Sequence, residues 1–133
     1  MSAANVALAR RWFEEVWNQR RVETIDDLIA PESLCLSPGG ELRGPAEFQA
    51  RVYEPFTSAF PDLRVTVEGT VAERDEVVVR WTATGTHSGP GLGLPPTGRA
   101  VFLRGMTWMQ MAGGKLLAGW DCWNLRELIE SLR

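Results

Sequence analysis

The chain has 133 residues, a formal charge of −3, and 44% hydrophobic against 23% charged residues. These values predict a single globular domain over residues 1–133, and they exclude a second catalytic domain, a disordered chain and a membrane-spanning one. Both signs of charge are scattered without a basic stripe, so nucleic acid and membrane surfaces are not expected as partners. Six tryptophans accompany a single tyrosine, which indicates either an unusually aromatic core or an apolar pocket.

The amino-terminal residues lack an apolar signal segment, and the two cysteines, Cys35 and Cys122, are too few and too far apart for a disulfide framework. We therefore expect a cytoplasmic protein. His87 is the single histidine, which excludes zinc sites that need several histidines and the facial triad of two histidines and a carboxylate. The sequence has no phosphate-binding glycine motif, and we expect neither a metal nor a cofactor.

Helical spacing dominates the first half of the chain. Apolar side chains recur at intervals of three and four along the first helix, which Ser2 is placed to cap. Pro31 stops a second, shorter helix, and Pro55 is expected to kink a third one. The predicted elements are helices over 2–18, 22–29 and from Gly44 onward, with short strands at 33–37 and 41–43.

Beyond Asp62, apolar and polar residues alternate with the period of β-strands. A loop rich in glycine and proline spans 88–96. The predicted strands are 63–69, 77–84, 99–111 and 115–123, followed by a closing helix over 125–132. Helices followed by antiparallel strands predict an α+β fold, in which the helices cover the concave face of a curved antiparallel sheet and leave a deep pocket between the layers.

Short motifs in chain order give the sequence a family likeness. They are Trp12–Asn18 (WFEEVWN), Phe60–Leu63 (FPDL), Gly85–Gly89 (GTHSG), Pro95–Arg99 (PPTGR) and Gly114–Leu116 (GKL), followed by Trp120. With these motifs in this order over nearly its whole length, the sequence resembles the SnoaL-like polyketide cyclases, or ester cyclases, of the nuclear transport factor 2-like superfamily. The resemblance implies the cone-shaped, cystatin-like α+β fold of that superfamily.

The resemblance also implies an activity and an assembly. Such proteins close a ring of a polyketide ester by a cofactor-free intramolecular aldol condensation, with acid/base residues in an apolar pocket. A homodimer or larger homo-oligomer, paired through the outer face of the sheet, is implied as well. One departure concerns an acidic residue that family members often carry in a W-x-x-x-D pattern. Counted from Trp120, that position is Asn124, whereas Asp121 directly follows the tryptophan.

Asp121 is the first candidate for acid/base chemistry. It lies between Trp120 and Trp123 in a strand with few polar neighbours, where lost hydration raises the pKa of a carboxyl group. A carboxylate with a raised pKa can abstract a proton between two carbonyls near neutral pH. Alternatively, Asp121 points away from the pocket or caps the closing helix. The sequence leaves both alternatives open.

Two further side chains are candidates for stabilising an enolate. His87 follows the second long strand beside the glycine-rich loop, and alternation places it on the buried face with Trp81 and Ala83 unless a bulge near Gly85 reverses it. It either protonates a ketone or only pins the loop. Asn124 either donates its amide to an oxyanion or caps the closing helix, and its place at a strand-to-helix junction favours the cap.

Large apolar side chains are candidates for the wall of the pocket, although rings at helical or strand spacing also form ordinary cores. Methionines on the third long strand, Met106 and Met109, would add adaptable apolar surface. The predicted substrate-binding residues are Trp12, Phe13, Trp17, Phe56, Phe60, Trp81, Met106, Trp108 and Trp123.

These observations favour a small cofactor-independent enzyme that binds an apolar or aromatic small molecule. Asp121 would be its acid/base residue, with His87 and Asn124 at the enolate. The alternative is a binding or sensing module with the same cavity, which predicts saturable binding without product. A third alternative is an assembly domain whose cavity is filled by its own side chains.

Overall fold

The computed structural model describes residues 2–133, apart from the side chain of Ser2, so the cap predicted there lies outside the described part of the chain. The amino-terminal helix α1 (Ser2–Arg11) continues directly into a wider π-helical segment, Trp12–Asn18. The other helices are α2 (Val22–Leu28), α3 (Gly44–Phe48), a second π-helical segment (Gln49–Tyr53), α4 (Glu54–Ala59) and α5 (Leu125–Ser131). No helix within residues 2–133 has the length and apolar character needed to cross a membrane.

The third predicted helix is a continuous run in which the hydrogen-bonding pattern changes twice. Its middle part, Gln49–Tyr53, is π-helical and lies just before Pro55, which has no N–H to donate to the preceding turn. The buried side chains along this run include Phe48, Tyr53 and Ala59. The run therefore buries one large or apolar side chain in each of its three parts.

Six strands form one sheet in the order β2-β1-β6-β5-β4-β3. Their bounds are β1 (Ile29–Ser37), β2 (Gly40–Arg43), β3 (Arg64–Glu73), β4 (Glu76–Thr86), β5 (Ala100–Ala112) and β6 (Lys115–Cys122). The predicted α+β fold is confirmed, with helices on one face of a curved sheet. The first strand begins earlier than the expected residue 33, because the second helix ends at Leu28 and the chain is extended from Ile29.

The sheet differs from the prediction in one pairing, which makes it mixed rather than purely antiparallel. β1 runs parallel to β6, with Cys35 opposite Gly119, whereas the other adjacent strands are antiparallel. Parallel neighbours need a long crossover connection, and here it includes the helices and the hairpins between β1 and β6. Sequence alternation alone does not show which distant strand becomes a neighbour.

The inner face of β4 confirms the predicted alternation. Val77, Val79, Trp81 and Ala83 are all buried, and the pairing of β4 with β5 runs without a register shift. The possible bulge near Gly85 is absent from this pairing, so the buried face continues along the strand. These side chains meet those of the helices in one apolar cluster.

Candidate active site

A cavity lies between the helices and the inner face of the sheet. It encloses at most about 1010 Å³, a volume that includes the part open to solvent. Its walls come from the π-helical segment after α1, from α3 and α4, and from the inner faces of β1, β3, β4, β5 and β6. The cavity is not filled by the protein's own side chains, which was the condition for the assembly alternative.

Aromatic rings make up most of the helical side of this cavity. Trp12, Phe13 and Trp17 come from the first π-helical segment, whose wider turn brings these rings to one face. Phe48 packs edge-on against both tryptophans, with ring centroids 5.0 Å from Trp12 and 6.1 Å from Trp17. Phe56 lines the same space. Edge-to-face packing of this kind holds the rings in place and leaves an apolar surface for a ligand.

The sheet side carries a small polar group in this apolar wall. The Thr107 hydroxyl donates to Asp121 Oδ1 at 2.6 Å, and the Cys35 thiol lies 3.9 Å from Asp121 Oδ2. The hydroxyl-bearing side chain of Ser33 is buried and lines the cavity as well. Among residues 2–133, Asp121 is the only carboxylate on this wall. No group of His, Cys, Asp and Glu within the described chain is arranged to hold a metal ion.

Trp81 supports this polar group from the neighbouring strand. Its Nε1 donates to Thr107 Oγ1 at 3.0 Å, and both side chains are buried. Gly105, which faces Trp81 in the β4–β5 ladder, makes room for the ring: a Cβ there would lie 2.6 Å from the indole. A glycine in a central strand is costly, so its presence here reflects the close approach of the indole.

Burial has the largest effect on the pKa values of both Asp121 and Cys35. Burial raises the pKa of the Asp121 carboxyl above its ordinary value, and this effect exceeds the opposite effect of the hydrogen bonds from Thr107 and Cys35. Burial, assisted by the charge of Asp121, raises the pKa of the Cys35 thiol to about 12. Cys35 is therefore a protonated donor and not a thiolate nucleophile.

Several of the predicted site residues meet in this cavity. Asp121 faces inward, which contradicts the alternatives of an outward side chain or a helix cap. The predicted wall residues that line the cavity are Trp12, Phe13, Trp17, Phe56, Trp81 and Trp123, together with Met109.

His87 lies outside the cavity, packed between Phe60 and Thr97. Its side chain is completely buried, and Nδ1 lies 3.0 Å from Thr97 Oγ1. Phe60, predicted for the cavity wall, packs against the His87 ring instead, with centroids 5.5 Å apart. Nε2 has no hydrogen-bond partner among the described residues. The structure thus places His87 with the loop that comes after it, which was the alternative to a catalytic role. It also removes Phe60 from the predicted wall.

Asn124 also lies outside the cavity. Its side-chain oxygen accepts the backbone N–H of Glu127 at 2.9 Å, which is the N-cap of α5. The assignment of Asn124 to an oxyanion is therefore not supported, and the position predicted from the W-x-x-x-D pattern is a structural cap.

Met106 and Trp108 were predicted for the cavity wall and lie on the opposite face of the sheet. They are 51% and 48% exposed, whereas their neighbours Thr107 and Met109 point inward. The prediction failed because β5 is apolar on both faces, so alternation shows no preferred phase. The inward phase follows only from the pairing with β4 and β6.

The sequence interpretation also missed Thr107, Cys35, Ser33 and Phe48. For Thr107, the hairpin turn at Gly113–Gly114 offers a partial signal. Counting residues outward from this turn along both strands predicts which residue of β5 lies opposite which residue of β6. That count places Asp121 opposite Met106. A register shift between Gln110 and Met111 moves Asp121 opposite Thr107 instead. Such a bulge is not visible in the sequence.

Comparisons with known proteins agree with this geometry. The family model of the SnoaL-like polyketide cyclases matches residues 7–132. A solved structure of a candidate SnoaL-like polyketide cyclase from Jannaschia sp. CCS1 is 25% identical, covers 99% of this chain and 93% of its own, and has a TM-score of 0.90. AclR, a candidate hydroxylase from Streptomyces galilaeus, is 30% identical over 99% of this chain and 97% of its own, with a TM-score of 0.86.

The fold has a further match in an NTF2-like protein of unknown function from Burkholderia pseudomallei K96243. This structure is 18% identical, covers 99% of this chain and 98% of its own, and has a TM-score of 0.80. No match is found among curated proteins. On its sequence match and its architecture, the chain belongs to the SnoaL-like polyketide cyclase family and has the nuclear transport factor 2-like fold.

Proposed function

We propose that this protein is a cofactor-independent cyclase, which closes a ring of a polyketide-type substrate by an intramolecular aldol reaction with Asp121 as acid/base residue. The observation that carries the proposal is the single carboxylate on the wall of an apolar cavity, with its pKa raised by burial. A base whose pKa approaches the working pH transfers protons most effectively.

In the proposed reaction, the Asp121 carboxylate takes a proton from a carbon between two carbonyl groups. The resulting enolate carbon attacks a ketone of the same molecule and forms the new carbon–carbon bond. The electron pair of the ketone moves to its oxygen, which takes the proton back from Asp121. The proton is returned within the cycle, so the addition needs no oxidant, reductant or added cofactor.

The cavity wall suggests the chemical class of the substrate. The rings of Trp12, Trp17 and Phe56 offer apolar faces for an aromatic or polycyclic body, while the polar group around Asp121 receives the reacting carbonyls. Ser33 takes the role that the sequence interpretation gave to His87 and Asn124, because it lines the same cavity and a hydroxyl can donate to an enolate oxygen.

The test uses an aryl polyketide ester that carries a 1,3-dicarbonyl unit and a separate ketone. The wild-type protein is expected to convert it to a ring-closed isomer or its dehydration product, and Asp121→Asn is expected to lower that rate by about 10²–10⁴-fold. Asp75→Asn, in an exposed turn, is the matched control. Equal turnover by wild type and Asp121→Asn, both folded, contradicts the assignment.

The same assay separates the alternatives by product mass. Tryptophan quenching that saturates with ligand, without any product, indicates a binding module. The likeness to AclR, a candidate hydroxylase, favours hydroxylation as the second candidate: in a parallel assay supplied with dioxygen and a two-electron reductant, a product that has gained one oxygen atom, with the other released as water, indicates it.

We also propose a homodimer that pairs through the outer face of the sheet. Leu36, Trp120, Trp108, Val78 and Val71 face one another in successive ladders and form an apolar row across five strands. Trp108 and Trp120 are 48% and 38% exposed, and exposed apolar rows of this kind mark interaction surfaces. Trp108→Glu is expected to shift the protein to monomer in analytical ultracentrifugation. A wild-type monomer at assay concentration contradicts the proposal.

A further inference from the structure

The hydrogen bonds around Asp121 have a fixed direction. An indole N–H only donates, so Thr107 Oγ1 is the acceptor of the bond from Trp81 Nε1 at 3.0 Å. A hydroxyl has a single hydrogen, and with Trp81 on one lone pair that hydrogen is directed at Asp121 Oδ1, 2.6 Å away. The chain of donors therefore runs from Trp81 through Thr107 to Asp121.

The hydrogen bonds that reach Asp121 are those expected for an ionised carboxylate. A separation of 2.6 Å lies in the range of O–H···O⁻ bonds, which are shorter than those between neutral groups. The other oxygen, Oδ2, faces the Cys35 thiol at 3.9 Å, so both carboxyl oxygens face donors. A protonated Asp121 would carry its hydrogen on one of these oxygens, which would then accept more weakly from the donor that faces it.

The other hydroxyl on the described wall, that of Ser33, makes no hydrogen bond that lowers the pKa of Asp121. The helices opposite contribute the rings of Trp12, Trp17 and Phe56 to the cavity, and no charged side chain of the described residues lines its wall apart from Asp121 itself. Cys35 is the titratable neighbour, and a thiol is a weak donor. The hydroxyl of Thr107 is therefore the main group that opposes the effect of burial.

We infer that Thr107, oriented by Trp81, keeps Asp121 in the carboxylate form and so prepares it to act first as a base. Thr107 is a positioning residue, since it acts on the substrate through Asp121. The catalytic consequence rests on the proposed function, whereas the effect on ionisation is a property of the protein without substrate.

The direct test titrates the Asp121 carboxyl by ¹³C NMR in the substrate-free protein, assigned with Asp121→Asn. Thr107→Val removes the hydroxyl and keeps a good strand-forming shape, and it is expected to raise the pKa of Asp121 above that of the wild type. Thr107→Ser restores the hydroxyl and should keep the wild-type value. Cys35→Ala should give a smaller upward shift, and Thr84→Val on the outer face should give none.

The inference is tested by comparing the Asp121 pKa of the wild type with that of each Thr107 variant. An Asp121 pKa that is unchanged in Thr107→Val, or raised equally in Thr107→Ser, overturns it. If the valine variant does not fold, Thr107→Ala replaces it with the same expected direction. Should no variant or wild type turn over a substrate while the pKa order holds, the proposed function fails and the inference stands.

Kinetics with the polyketide ester add a readout that a purely structural role would not move. The acid limb of the kcat/KM profile is expected to move to higher pH in Thr107→Val, by the same amount as the pKa measured by NMR. At pH values below the pKa of Asp121, kcat/KM of the variant should be about ten- to a hundredfold lower than that of the wild type. This fold-change corresponds to the free energy of one hydrogen bond to a charged group. A lower plateau with an unmoved limb contradicts the inference.

Discussion

Asp121 and His87 are both withdrawn from bulk water, but their surroundings differ. Both carboxyl oxygens of Asp121 face donors from neighbouring strands, while the side chain stays open to a cavity. His87 is completely buried against Phe60, outside that cavity, and has one nitrogen without a partner. The comparison teaches that a chemically capable side chain becomes a site only where a substrate can reach it.

The region around His87 has a structural task instead. Backbone N–H groups of Thr97 and Gly98 donate to the His87 carbonyl, and the N–H of Gly89 donates to Ala59 in α4. A Cβ at Gly91 would overlap the carbonyl of Pro55, so the loop lies directly on the helix there. These contacts hold the glycine-rich loop against α4, close to the helix that supplies Phe56 to the cavity.

The largest expected effect that separates the two regions is on stability. His87→Ala is expected to lower the free energy of unfolding by about 2–4 kcal/mol, because it leaves a void beneath the loop and removes the acceptor for Thr97. Urea denaturation measures this loss. Turnover per folded molecule should stay within about twofold of the wild type, and a loss comparable to that of Asp121→Asn would give His87 a catalytic role.

The second expected effect is a gain in stability on replacing Asp121, in contrast to the loss expected for His87→Ala. Folding raises the pKa of Asp121, so the native protein binds more protons than the unfolded chain. Asp121 therefore lowers the free energy of unfolding as the pH rises above the ordinary aspartate pKa of about 3.9. Asp121→Asn should be more stable than the wild type at pH 8 by about 1.4 kcal/mol for each unit of the shift, and this gain should vanish near pH 3. Thermal unfolding across that pH range checks it. A constant difference contradicts the raised pKa.

The smallest expected effect concerns Asn124, which directly follows the cavity residue Trp123 in sequence but lies outside the cavity. Asn124→Ala is expected to cost about 1 kcal/mol, because it removes the cap of α5, and to leave turnover unchanged. Asn124→Asp keeps a capping oxygen and should retain stability. A large loss of turnover in both variants at unchanged stability would return Asn124 to the active site.

The sequence predicted the architecture well for a physical reason. Helical spacing, proline positions and strand alternation act locally, so they indicated the helices, the strands after residue 62 and the buried face of β4. The site depended on features that are not local. The phase of β5, which turns Thr107 inward and Trp108 outward, follows from its pairing with β4, and a register shift beside Gln110 then brings Asp121 opposite Thr107. The parallel pairing of β1 with β6 brings Cys35 to Asp121, and no local pattern marks it.

Proton transfer by Asp121 within the cavity can be tested by solvent exchange, which does not require ring closure. An aryl β-keto ester is incubated with the protein in D₂O, and deuterium uptake at the carbon between the carbonyls is followed by NMR. We expect the wild type to accelerate uptake above the uncatalysed rate and Asp121→Asn to reduce the acceleration by about 10²–10⁴-fold, while His87→Ala keeps it. Equal acceleration by the wild type and Asp121→Asn would contradict the account.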